Sequence, residues 1–191
     1  LAINLASVYF TSKESEYSYN PVEFIKQYRL INNLSTLPGD SVECFMNIMD
    51  LIEENFTVES GIYKSSFSKE VQCENGHSFE KETIEPVINI QILNNKCEDL
   101  QENISNYFSD ISADEMFCPI DGKPVKCQFT IKSKEIAPIL FFFIDRYYYS
   151  SESQNAERIY SCMNINNDIY IDTVCYEFKS SLLHLGSRLS G

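Results

Sequence analysis

The apolar positions near the start of the chain keep a helical rhythm. From Asn20 the run Asn-Pro-Val-Glu supplies an N-cap, a proline at the first helical position and a capping glutamate, and Phe24, Ile25, Tyr28 and Ile31 then recur at helical spacing. Gly39-Asp40-Ser-Val-Glu43 repeats the capping pattern, and Phe45, Ile48, Met49 and Ile52 fall on one face, which predicts a second helix over about 40–54. Past Gly61 the period shortens to two. Val87 to Ile92 and Val125 to Ile131 are alternating runs bounded by Gly, Pro and Asn, as expected of antiparallel strands. One helix interrupts them, its stripe carried by Leu100, Ile104, Tyr107 and Phe108, ending before Ser109-Asp110. From Ile136 the predicted strands are more apolar: Ile136 to Ile144, Ile169 to Ile171, and Tyr176 to Leu183 with Phe178 and Leu182 in alternation. The aromatic run Phe141 to Tyr149 reads as a core strand passing into an exposed tyrosine loop. Helices first and sheet later predict an α+β fold.

Charge narrows the partners. The 191 residues carry 15 Lys+Arg against 28 Asp+Glu, a formal net charge of −13, which opposes binding to nucleic-acid phosphates or anionic lipid. With 43% hydrophobic residues the chain has material for a packed core. Its most apolar run, Ile136 to Ile144, contains Pro138 and is about half of the roughly 20 residues a membrane-spanning helix needs, so no membrane insertion is expected. The cysteines, Cys44, Cys73, Cys97, Cys118, Cys127, Cys162 and Cys175, are seven, an odd number scattered through a chain too long to need stapling, which favours a reducing intracellular compartment. Leu1 opens without a methionine and Ser190-Gly191 close a segment that reads as an unfinished loop, so an excerpt of a longer polypeptide is expected.

His77 and His184 are the only histidines, and any imidazole base or ligand must be one of them. Cys73-Glu-Asn-Gly76-His77 puts a thiol and an imidazole across one tight turn, and Cys118-Pro-Ile-Asp121-Gly122 puts a second thiol in another. Two such turns at the tips of strand pairs are how a zinc ribbon is built. The set that can be assembled is Cys73, His77 and Cys118 with Asp121 or Cys127. Neither turn holds a full Cys-x-x-Cys, so a zinc-free finger with no cofactor is favoured over a degenerate zinc site. Asp40 and Glu43 suit helix capping. No cysteine stands beside either histidine in a way that spacing can justify as a nucleophile pair.

Several of these signals follow one another in an order that resembles the ubiquitin-specific proteases, the papain-like cysteine deubiquitinases. Gly39-Asp40-Ser-Val-Glu43-Cys44-Phe45 followed by Asp50 is similar to the family's Gln-Asp-Ala-x-Glu-Phe-Leu helix start. Cys73 with Gly76-His77, then Cys118 with Asp121-Gly122, sit where the family carries two Cys-x-x-Cys knuckles. Pro138 to Tyr147 resembles the strand ending in Arg-Phe, and Tyr176 to Gly191 resembles the segment leading into Gly-His-Tyr. The resemblance implies one partial catalytic domain of papain-like α+β fold: a helical thumb over 1–57, β fingers over 58–135 and palm strands over 136–191. It puts every catalytic group outside the chain, the nucleophilic Cys before Leu1 and the catalytic His directly after Gly191. It implies ubiquitin as partner and cytoplasm or nucleus as location. Asp40 and Glu43 would flank the cleft for ubiquitin's tail. Ser187, Arg188, Ser190 and Gly191 would belong to a loop that orders over that tail, with Tyr147 to Asn155 beside it. Gly39 in place of Gln, Cys44 in place of Phe and a cysteine lost from each knuckle are departures, and they leave a catalytically inactive ubiquitin-binding scaffold of the same fold as the alternative.

Overall fold

The computed structural model describes residues 22–31, 41–55, 60–92, 97–150 and 154–181. The chain divides into two units, residues 1–58 with 182–191, and residues 59–181. The described part of the first unit is two helices, α1 (Val22–Ile31) and α2 (Ser41–Asn55). Phe24 stacks on Tyr28 one turn on, with ring centroids 6.4 Å apart, and the amide of Asn47 in α2 donates to the buried Tyr28 hydroxyl at 3.2 Å.

The second unit carries the sheets. Its elements in chain order are β1 (Ser65–Cys73), β2 (Ser78–Glu85), β3 (Ile88–Gln91), β4 (Glu98–Asp99), α3 (Leu100–Ser109), β5 (Ser112–Cys118) and β6 (Lys123–Glu135). They continue with β7 (Phe142–Asp145), β8 (Tyr147–Ser150), β9 (Asn155–Arg158), β10 (Met163–Asn164), β11 (Asp168–Ile171) and β12 (Val174–Glu177). Four strands form an antiparallel sheet in the order β2-β1-β6-β5. The period of two explains its faces: Phe67, Val71 and Cys73 turn inward from β1 while Glu70 and Gln72 stay exposed, and Val125, Cys127 and Ile131 do the same from β6. At the base of this sheet Phe67 and Ile131 join Ile88, Ile90, Leu100, Ile104, Ile169 and Ile171 in the main core. Towards its tip Val71, Cys73, Cys118, Val125 and Cys127 form a second, smaller core. Helix α3 closes the main core; Asp99 caps it by accepting from the Glu102 N–H at 3.2 Å.

The α+β class and the helices follow the apolar pattern, and several strand expectations are corrected. β3 pairs with β7 in parallel, Ile88 opposite Phe142, where alternation alone suggests an antiparallel neighbour. The chain between them makes α3, β5 and β6, a crossover long enough to bring β7 back in the same direction. The run Ile136 to Ile144 enters a ladder only from Phe142, because Pro138 has no N–H and the Ile139 N–H donates instead to Ile62 O at 3.0 Å. The tyrosines continue as strand β8, paired antiparallel with β9. β12 ends at Glu177, and the Phe178 N–H turns to Asn167 O at 2.7 Å; Leu182 and Leu183 lie outside the described residues. Cys97 and Cys162 are joined in a disulfide beside the short parallel β4–β10 pair, a departure from the all-reduced thiols expected of the count. Among the described residues no helix is long and apolar enough to cross a membrane.

Candidate functional site

The tip of the four-stranded sheet is made by two turns. In the first, the Cys73 N–H donates to His77 O and the Gly76 N–H to Cys73 O, both at 2.9 Å. Gly76 has φ +83°, which a side chain would strain. In the second, the Gly122 N–H donates to Cys118 O at 2.9 Å, with Gly122 at φ +66°. That same turn aims the Asp121 N–H at Cys118 Sγ, 3.5 Å away. A backbone amide pointing at a cysteine sulfur favours the thiolate, which is the ligand form.

Sheet pairing brings the two turns together. The donor atoms of Cys73, His77, Cys118 and Asp121 all lie within 4.8 Å of one another. Cys73 Sγ is 3.8 Å from Asp121 Oδ2, His77 Nδ1 is 3.2 Å from the same oxygen, and Cys118 Sγ is 3.6 Å from His77 Nδ1. A tetrahedral zinc with ligands at about 2.0–2.3 Å sets its ligand atoms roughly 3.3–3.8 Å apart. Three of the six donor-to-donor separations are therefore close to those of a tetrahedral site. Two buried sulfurs, an imidazole nitrogen and a carboxylate oxygen are a donor set that zinc accepts. The residues fit the metal.

The electrostatics point the same way. The Asn75 amide, donating to Asp121 Oδ2 at 3.0 Å, is the main cause that holds the Asp121 carboxyl below its ordinary range, with the Cys118 thiol and His77 adding to it. Burial pushes the Cys118 thiol up, against the pull of the Asp121 and Ile120 amides. The two sulfurs are buried and His77 and Asp121 half-buried, and a cation bound among them would take the place of the thiol protons.

The same geometry argues against nucleophilic catalysis here. A thiol–imidazole pair needs the thiol on one ring nitrogen and the orienting carboxylate on the other, with a depressed thiol pKa. Here Cys118 and Asp121 both approach Nδ1 of His77, and Cys118 is fully buried.

Of the residues that sequence singles out, the structure joins Cys73, His77, Cys118 and Asp121. Cys127, the other option for the fourth ligand, stays outside the set: its thiol donates to Val125 O at 3.5 Å. Glu43 is exposed in the first turn of α2. Asp40, His184, Ser187, Arg188, Ser190 and Gly191 lie outside the described residues. Asn75, which positions Asp121, is the functional residue that sequence reading missed; the Asn-Gly pair at 75–76 marks a turn but says nothing of a partner 46 residues away. No protein-family model matches the chain, and no curated protein matches it.

Proposed function

We propose that this chain is the ubiquitin-gripping portion of a papain-like ubiquitin-specific protease, with a finger formed by β1, β2, β5 and β6 and closed at its tip by a structural zinc ion. The observation that carries the reading is the meeting of Cys73, His77, Cys118 and Asp121 at the end of a four-stranded antiparallel sheet. Those are the two turns at which the family resemblance puts paired zinc knuckles. Sequence alone favours a zinc-free finger because each turn lacks one cysteine. His77 and Asp121 supply the two missing donors, and that supports the zinc-bound form. Zinc there would tie two hairpin ends together without taking part in bond breaking. The net charge of −13 suits a basic partner surface. In this reading, hydrolysis of the isopeptide bond at ubiquitin's C-terminal glycine, through a thiolate and an acyl-enzyme, belongs to residues outside 1–191. The inactive scaffold of the same fold shares the binding prediction and differs only in that chemistry.

The test is a titration of isotopically labelled ubiquitin with the zinc-loaded 191-residue chain, followed by nuclear magnetic resonance. Shift changes confined to one face of ubiquitin and its tail, weakening as salt is raised, are expected. No change at the highest soluble concentration refutes ubiquitin as the partner. Elemental analysis of the same sample decides the zinc separately.

A further inference from the structure

We propose that Cys73 is shared between two exclusive partners, the metal set at the finger tip and Cys127, so that a hydroperoxide converts the tip from a zinc site into a cross-strand disulfide and releases the ion. This rests on the zinc reading of the tip and adds a modification site and its regulation.

The hydrogen-bond register carries the inference. Cys73 on β1 stands directly opposite Cys127 on β6. The next residue, Glu74, donates its N–H to Lys126 O at 2.8 Å, while the Cys73 N–H turns the other way, to His77 O. Hydrogen-bonded and non-hydrogen-bonded pairs alternate along an antiparallel ladder, so Cys73 and Cys127 are a non-hydrogen-bonded pair, with Cα atoms about 4.5 Å apart. That spacing lies inside the range of about 4.4–6.8 Å that a disulfide spans without moving the backbone. Both side chains enter the same buried cluster, from the same face of the sheet. Cys118 has a different relation to Cys73. It comes from β5, on the far side of β6 from β1, and its sulfur meets that of Cys73 within the donor set, the two atoms no more than 4.8 Å apart. The Cys73 and Cys118 backbones stand two strands apart, whereas Cys73 and Cys127 face each other on adjacent strands, at the Cα spacing a disulfide spans.

The chemistry balances with a hydroperoxide as the only added oxidant. The Cys73 thiolate attacks the O–O bond, forming a sulfenic acid and expelling hydroxide or alkoxide. The Cys127 sulfur then attacks the Cys73 sulfur, the S–S bond forms, the S–O bond breaks, and the oxygen leaves as water with the Cys127 proton. Two electrons pass from the two sulfurs to the peroxide. Disulfide sulfur is a poor zinc ligand, so His77, Cys118 and Asp121 are left with three donors and the ion is lost. A dithiol reductant returns both thiols and restores the site. Entry is open to a small oxidant, since the His77 side chain is 32% exposed at the mouth of the cluster.

The test treats the zinc-loaded chain with hydrogen peroxide beside a metallochromic dye, traps remaining thiols, and maps cross-linked peptides by mass spectrometry without reduction. One disulfide between Cys73 and Cys127 per zinc released, reversed by dithiothreitol, is expected. Cys127→Ser should still bind zinc and release it roughly tenfold more slowly under the same peroxide, since the resolving thiol is gone. Cys127→Ala, which buries no hydroxyl, is the second variant should serine disturb the fold. A Cys73–Cys118 cross-link, or unchanged release from both variants, overturns the proposal. If the wild-type chain binds no zinc, the zinc reading fails by itself. A Cys73–Cys127 bond in that metal-free protein then confirms the geometry and removes only its link to the ion.

Discussion

Replacing Cys118 by alanine separates what the thiol contributes as packing from what it contributes as a ligand. Cys118 is 0% exposed, so without metal its truncation deletes about one methylene-sized atom from the second core and costs about 1 kcal/mol. The site sits in the unit spanning residues 59–181, for which each kcal/mol moves the melting temperature by about 4 °C. Free zinc at a hundred times its dissociation constant stabilises a protein that binds it only when folded by about 2.7 kcal/mol, or roughly 11 °C on that scale. Scanning calorimetry with and without zinc should therefore show a rise of that order in the wild type. In Cys118→Ala it should show a metal-free midpoint about 4 °C lower and no zinc response. Cys175→Ala, an exposed thiol outside the cluster, should keep the zinc response and move the midpoint little. A full zinc shift in Cys118→Ala would mean that the tip is not where zinc binds.

Acid and base should each destabilise the metal-free tip. Asp121 titrates below its ordinary 3.8 when folded, so its contribution is present above that pH and lost as pH falls through the depressed value; Asp121→Asn should flatten this acid limb in circular dichroism. Cys118 titrates above its ordinary 9.0 when folded, so its contribution is complete below that pH and is lost as pH rises through the raised value, a limb that Cys118→Ala should lack. Gly76→Ala forces a side chain to φ +83° and should cost roughly 1–2 kcal/mol, measured by denaturant midpoint, with zinc recovering part of it. Phe67→Ala, at 0% exposure in the main core and packed on Tyr107 and Phe108, should cost about 3–5 kcal/mol without changing zinc stoichiometry. Reducing the Cys97–Cys162 bond, which closes a loop of sequence separation 65, should remove about 4 kcal/mol in the chain-entropy account; an unchanged midpoint in Cys97→Ser would contradict it.

Local order was legible in the chain itself. The stripe of Leu100, Ile104, Tyr107 and Phe108 marks a helix that ends at Ser109, because the period of 3.6 and the cap are properties of neighbouring residues. The two turns were equally plain, since Gly76 and Gly122 stand where φ is positive and the thiols stand at their mouths. Only the tertiary structure decided which of these local pieces meet. Alternation in Ile88 to Gln91 says that the segment is a strand but carries no direction, and its parallel union with Phe142 to Asp145 comes from the crossover between them. The loss of ladder pairing before Phe142 depends on where Ile139 finds its acceptor, at Ile62 across the fold. Residues 73–77 and 118–121 form one site because β1 and β5 flank β6 in the sheet. Asp121 rather than Cys127 completes the set because the turn after Cys118 brings its carboxylate to 3.2 Å from His77 Nδ1 while the Cys127 thiol donates to Val125 O, and the Cys97–Cys162 bond joins segments that no spacing rule connects. Turns and helices are settled by free energies within a few residues of chain, whereas strand partners, register and a four-donor site depend on burial summed over the whole fold.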